Sequence, residues 1–179
     1  MNLVFSLLTA DMDRRGFSCG EAALDTYLQQ QAGQDMRRGF ATVIAARESS
    51  RPEKIIGFYS IAAASVLLDT LPEATARKMP RYPSVPAIRL GRLAVTQEMQ
   101  GRHVGSLLVW DAMQRCCRNE LAWAVLLVDA KKDSLAVFYE KFLFRRFADR
   151  KNSLWISRRQ VEHLLDTTAA FITTPHDTL

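Results

Sequence analysis

The sequence predicts an α/β fold with an antiparallel front half and a strand–helix–strand back half. Three stretches carry that expectation. Phe40 to Arg47 and Lys54 to Leu67 are strand-like runs joined by the polar turn Glu48 to Glu53, the pattern of an antiparallel hairpin. Pro86 to Val95 reads as a strand that runs into a polar turn with two glycines and then a helix from Val104 to Arg118. Leu121 to Val128 (LAWAVLLV) is a nearly unbroken apolar run, as expected for a central strand covered on both faces.

The remaining elements follow in order. Val4 to Leu8 forms a first strand and Asp11 to Phe17 a connector. Ser18, with Glu21 three residues later, matches a capping box, and Leu24, Tyr27, Leu28 and Gln31 recur at helical spacing. A helix is therefore expected over 20–37, ended by Gly39. Leu68 to Val85 is irregular, with Pro72, Pro80 and Pro83 among Arg77, Lys78 and Arg81. That connection exceeds the usual length, so either a short helix sits at 72–78 or the loop has a function. Ser134 to Phe142 is a short helix, Phe144 to Ala148 and Leu154 to Ser157 are strands, and Arg158 to Leu165 is a last helical turn or two. With 179 residues the chain is one domain by size. Its folded part is placed at 1–165, and the polar, Thr-rich 166–179 is expected to fray.

Composition excludes several classes. A hydrophobic fraction of 48% argues against disorder, and the segment MNLVFSLLTADMDRR lacks the basic start of a signal peptide. No run reaches the length of a membrane span, so no membrane association and a cytoplasmic location are expected. Cys19 stands alone and Cys116 and Cys117 are adjacent, with too few histidines nearby for a zinc site, so no metal is expected. Lys and Arg exceed Asp and Glu by 24 to 19. That excess suits an anionic cofactor, a nucleic acid or plain solubility.

The chemistry concentrates at Gln100, Gly101, Arg102, His103, Val104, Gly105 and Ser106, between the 86–95 strand and the following helix. Gly101 permits a tight turn, Gly105 a close approach, and the backbone N–H groups of a helix start suit a pyrophosphate. The Lys-Ser/Thr ending of a Walker loop is absent, as is the acid of a dinucleotide fingerprint. Alone, the turn is also consistent with ordinary glycines at a helix start.

The surrounding residues add more. Ile88 to Val95 (IRLGRLAV) followed by Gln100-Gly-Arg-x-x-Gly105 resembles the central motif of the GCN5-related N-acetyltransferase superfamily. Phe17 to Gly20 with Leu24, Asp25, Tyr27 and Leu28, and the later Phe138-Tyr139, resemble one branch of it, the acetyltransferase toxins of type II toxin–antitoxin pairs. The resemblance covers about residues 1–157. It implies an acyl-CoA N-acyltransferase fold, a mixed and mostly antiparallel central sheet flanked by helices. It implies acetyl-CoA as acetyl donor, with Leu93, Ala94 and Val95 along the pantetheine arm and the turn 100–106 on the pyrophosphate. Tyr139 would protonate the departing CoA thiolate as general acid, a role a phenol can fill because it is protonated at neutral pH. The implied acceptor is the α-amine of aminoacyl-tRNA, whose acetylation blocks translation. The implied partners are a ribbon-helix-helix antitoxin and a second copy in a homodimer.

Two departures stand out: His103 and Leu143 occupy positions where the family usually has glycine. If position 103 needs only helical torsions, histidine fits; if close approach of a ligand requires the absence of a Cβ, cofactor affinity falls. Leu143 is expected to alter the turn into the next strand without touching Tyr139. No carboxylate is an obvious general base, since Glu98, Asp111 and Asp129 lie at turn, helix and strand-end positions. The RNA-facing wall implied by the resemblance draws on Arg77, Lys78, Arg92, Lys131, Lys132, Arg145 and Arg146. Arg92 is favoured over Arg89, because residues three apart on a strand face opposite sides. The alternatives are an acetyltransferase of a small-molecule or protein amine, and a catalytically silent acetyl-CoA- or RNA-binding module.

Overall fold

The computed structural model describes residues 2–173, with side chains to residue 168. Its seven strands are β1 Leu3–Leu7, β2 Thr42–Glu48, β3 Arg51–Leu67, β4 Ser84–Val95, β5 Val125–Asp129, β6 Arg145–Arg146 and β7 Ser153–Ser157. They are ordered β1-β2-β3-β4-β5-β7-β6 in the sheet. β2 pairs antiparallel with β1 and β3, and β7 pairs antiparallel with β5 and β6. The α-helices are α1 Ala22–Thr26, α2 Ala32–Arg37, α3 Glu73–Ala76, α4 Val104–Arg118, α5 Asp133–Glu140 and α6 Arg158–Thr173. None of the described helices is long and apolar enough to cross a membrane. Within the fold the chain groups into two compact units. One is the chain up to Ala63 with Arg89–Ala112; the other is Ala64–Ile88 with the chain from Met113 onward.

In the first unit the core is built on Phe58. Its ring meets Phe17 edge-on at 5.4 Å and stacks on Tyr27 at 6.2 Å. Leu28, Val43 and Ile55 are fully or almost fully buried in the same cluster. Between α1 and α2 the helix widens into a π-helical turn, Tyr27–Gln31, within which Tyr27 and Leu28 are both buried. The helix thus spans close to its expected range, but Ser18 is not its cap. Glu21 holds the N-cap position. Instead the Asp25 carboxylate reaches back, accepting from the Cys19 backbone N–H at 2.8 Å and from the Ser18 hydroxyl at 3.2 Å. Gly20, with φ +86°, breaks the helical path between Ser18 and Glu21, so the two residues cannot act as a reciprocal pair.

The second unit has its own core, including Val66, Leu71, Val125, Leu127, Phe147 and Trp155. β5 begins at Val125 rather than Leu121, which is exposed. Trp123 turns inward instead, donating its indole N–H to the Cys116 carbonyl at 2.9 Å. The irregular 68–85 stretch contains the short helix α3. The strand expected at 144–148 shrinks to the two residues of β6. The helix after β7 runs to Thr173, past Leu165; 174–179, part of the tail expected to fray, lie outside the described residues. Thr167 and Thr168 do not break it, because each hydroxyl donates to the carbonyl four residues back. A capping box does exist here: Gln160 N–H donates to Ser157 Oγ, and Ser157 N–H donates to Gln160 Oε1.

Candidate active site

In the first unit, β4 leads through a 3₁₀ turn, Gln97–Met99, into the loop that opens α4. Leu93, Ala94 and Val95 form the end of the strand. An N-terminal stretch fixes this end: Gln97 N–H and the Thr96 hydroxyl both donate to the Ser18 carbonyl, at 3.0 and 3.1 Å. The Gln100 side-chain amide donates to the carbonyls of Cys19 and Val95, at 2.9 and 3.0 Å. Gln100 therefore serves the loop by tying its first residue down, leaving Gly101, Arg102 and His103 exposed. The two sequence blocks 17–20 and 95–100 are one hydrogen-bonded assembly.

Gly101 has φ +74°, and a Cβ there would meet nothing within 4 Å. The glycine answers a torsional need, not a steric one. His103 also lies in the left-handed region, with φ 62°. The position thus needs neither helical torsions nor an absent Cβ for space within the protein; it needs positive φ, which explains why glycine suits it. Histidine is among the non-glycine residues that adopt this region more readily. Beyond it, helix geometry leaves the first N–H groups of α4 without acceptors inside the helix. These groups, with Arg102 and His103 alongside, fit an anionic pyrophosphate.

Further back in the same unit, Arg92 lays its guanidinium over the Tyr27 ring at 3.8 Å, and its backbone N–H donates to Ser60 Oγ at 3.0 Å. The carboxylates weighed as bases are engaged. Glu98 pairs with Lys54 at 2.7 Å, which holds its carboxyl below the usual range, and Asp111 accepts from the Tyr59 hydroxyl at 2.5 Å.

In the second unit, α5 carries Tyr139, which is 6% exposed. The ring is held edge-on between Phe138, at 5.1 Å, and Phe144, at 5.7 Å. Burial pushes its phenol well above the ordinary value, because removing water penalises the phenolate. Its hydroxyl therefore keeps its proton at neutral pH. Arg146 bridges the two ends of α5, donating from Nη1 to Asp133 at 2.5 Å and from Nε to Glu140 at 2.6 Å. Asp129, at the end of β5, accepts from the Ser153 hydroxyl at 2.6 Å.

α5 ends in a turn where Phe142 N–H donates to the Tyr139 carbonyl and Leu143 N–H to that of Glu140. Leu143 has φ 63°, so this helix stop needs positive φ from an exposed leucine. The left-handed torsion costs a non-glycine residue roughly 1–2 kcal/mol, partly offset by the greater unfolded-state freedom of glycine. Leu143→Gly should accordingly raise the thermal midpoint by about 2 °C. An unchanged or lower midpoint in calorimetry would show that the turn carries no such strain.

The expected basic wall is distributed. Lys131 and Lys132 are exposed before α5. Arg77 pairs with Glu73 on α3. Lys78 and Arg145 line one cavity of the second unit together with Arg158 and Arg159, which sequence reasoning passed over. The signal that could have found the last two was the Ser157-x-x-Gln160 helix start. Among the described residues no cluster of His, Cys, Asp or Glu is placed to hold a metal ion.

No family model matches the chain. A tRNA-acetylating toxin of Mycobacterium tuberculosis is 36% identical to it over 135 residues, 74% of this chain and 78% of that protein. Among solved structures, AtaT complexed with acetyl-methionyl-tRNAfMet superposes with a TM-score of 0.84 and 26% identity, covering 92% of this chain and 99% of that one. AtaTR bound with AcCoA gives 0.77 and 26%, covering 92% and 98%.

Proposed function

We infer the function from a family now evident: the chain belongs to the tRNA-acetylating toxins, acetyltransferases of the GCN5-related fold. It is an acetyl-CoA-dependent N-acetyltransferase that acetylates aminoacyl-tRNA and so blocks translation. The observation that carries this is the 36% identity spanning 78% of a tRNA-acetylating toxin. An antitoxin is its partner in the pair, and we read that antitoxin as a ribbon-helix-helix protein and the toxin as a cytoplasmic homodimer.

Acetyl-CoA supplies an acetyl group activated as a thioester. The exposed turn Gly101 to His103 and the N–H groups opening α4 would hold its pyrophosphate, and the backbone of Leu93, Ala94 and Val95 would line its arm. Tyr139 would give its Oη proton to the sulfur as the carbon–sulfur bond breaks and recover one from solvent after the thiol leaves. The α-amine of an aminoacyl ester is less basic than a lysine amine, so it reaches the carbonyl already neutral and sheds its proton to solvent after attack. Such an acceptor needs no strong protein base. Lys131 and Lys132, set just before the helix of Tyr139, and Arg92 and Arg77 are proposed to meet RNA phosphates. Arg146, clamped to Asp133 and Glu140, offers at most its remaining nitrogen.

The test is incubation with labelled acetyl-CoA and total charged tRNA, followed by hydrolysis and identification of the acetylated amino acid. Label is expected on the α-amine of one or a few amino acids released from tRNA. Label on a protein or a small amine, with none on tRNA, would establish the rival acetyltransferase instead.

A further inference from the structure

The second unit contains a cavity of about 450 Å³ to which the acetyl-transfer steps assign no role. Its lining includes Lys78 after α3, Arg145 on β6, and Arg158 and Arg159 at the start of α6, and it includes no carboxylate. Arg158 is neutralised by Glu162 at 2.7 Å. Lys78, Arg145 and Arg159 have no ion-pair partner among the described residues. The three residues are exposed, and three unpaired cations bordering one hollow raise the local positive potential that attracts an anion.

The wall adds to this bias. Trp155 lies directly opposite Arg145 in the β6–β7 register, and it is 1% exposed. Its indole N–H is buried without an acceptor among the described residues, an uncommon state that leaves a positive dipole uncompensated in the wall. The helix start contributes less. Ser157 and Gln160 satisfy each other, and the Arg158 N–H donates to the Ala124 carbonyl, so the charge is carried by side chains. The one aromatic ring in the lining is too buried to offer a stacking face to a base. The Thr75 hydroxyl is the kind of group that accompanies phosphate contacts.

We propose that this cavity is a phosphodiester-binding subsite for the RNA substrate, with Lys78, Arg145 and Arg159 as its ligands. The proposal rests on the reading of aminoacyl-tRNA as substrate and adds the place where part of its backbone is held. Such a subsite fixes the position of the RNA without selecting its sequence.

The experiment measures binding of labelled deacylated tRNA to the full chain across a salt series, for the parent and for Arg145→Gln/Arg159→Gln. The double variant should bind about tenfold more weakly near physiological salt, with the slope of log affinity against log salt shallower by about one for each phosphate no longer neutralised. Acetyl-CoA binding and the thermal midpoint should not change. If the double variant melts early, Arg159→Gln alone and Lys78→Gln alone, each removing an unpaired cation, should show the smaller slope change. Parent-like affinity and slope in the variants would overturn the proposal. So would displacement from this cavity by inorganic phosphate or a mononucleotide with tRNA binding unaffected, or variant-sensitive binding of an acidic peptide instead of tRNA. Acetylation of charged tRNA by the parent is scored separately. Its absence removes the functional reading, while its presence with unaltered variant binding removes only the subsite.

Discussion

Tyr139→Phe is expected to lower turnover by about 10²–10⁴-fold while acetyl-CoA binding stays within about twofold. The ring packs edge-on against Phe138 and Phe144, and phenylalanine preserves that packing. What disappears is the hydroxyl proposed to protonate the departing sulfur. Stopped-flow or steady-state transfer to charged tRNA, with acetyl-CoA affinity measured by calorimetry, separates the two effects. Full turnover in the variant would end the general-acid assignment. The pH dependence follows from the direction of the shift. Burial raises the phenol above its ordinary value near 10, so the donor form persists through and beyond that pH. The rate should therefore show no loss of the acid form near pH 10 attributable to Tyr139. For stability, the phenol is neutral in both states below about pH 10, and its packing is then fully available. Above that pH the unfolded chain ionises first, so this contribution is lost as pH rises towards the folded value.

Phe58→Ala should cost about 3–5 kcal/mol, the usual range for emptying a buried phenylalanine site. Against a typical total of 5–15 kcal/mol this is a large fraction, corresponding to a midpoint lowered by roughly 10 °C. Phe58 is fully buried, and its ring joins Phe17 to Tyr27. Its loss would loosen the residues leading into the Ser18 and Cys19 carbonyls that fix Thr96, Gln97 and Gln100. A weaker grip on acetyl-CoA should accompany the stability loss. Urea unfolding checks the magnitude, and a change under about 1 kcal/mol would show that the cluster is not the centre of the first unit's core.

The rationale of the N-terminal block emerges from these hydrogen bonds. In sequence, Phe17 to Gly20 and Gln97 to Gln100 are far apart and only their joint occurrence relates them. In the fold they are bonded to each other, and Gly20 passes so near Gln97 that a Cβ there would lie 3.1 Å from its amide nitrogen. The capping-box expectation failed at Ser18 because Gly20 turns the chain left-handed before Glu21 and the Ser18 hydroxyl donates to Asp25 instead. The reciprocal pair forms instead at Ser157 and Gln160, which the sequence reading did not single out.

Residue pattern alone determined the strand–turn–helix around Gly101, the hairpin of β2 and β3, and the place of Tyr139 on a short helix. Each rests on local periodicity and turn chemistry, which a linear chain displays directly. Tertiary structure decided the rest. It started β5 at Val125, leaving Leu121 exposed and Trp123 buried beside the sheet, extended α6 to Thr173, and tied the Gln100 side chain to two backbone carbonyls. It also showed that His103 and Leu143 replace glycine where the backbone turns left-handed. Those outcomes depend on partners distant in sequence and on torsions that side-chain identity does not encode. The same holds for the cavity around Lys78, Arg145 and Arg159: three solvated charges in the sequence become one site only when α3, β6 and α6 converge.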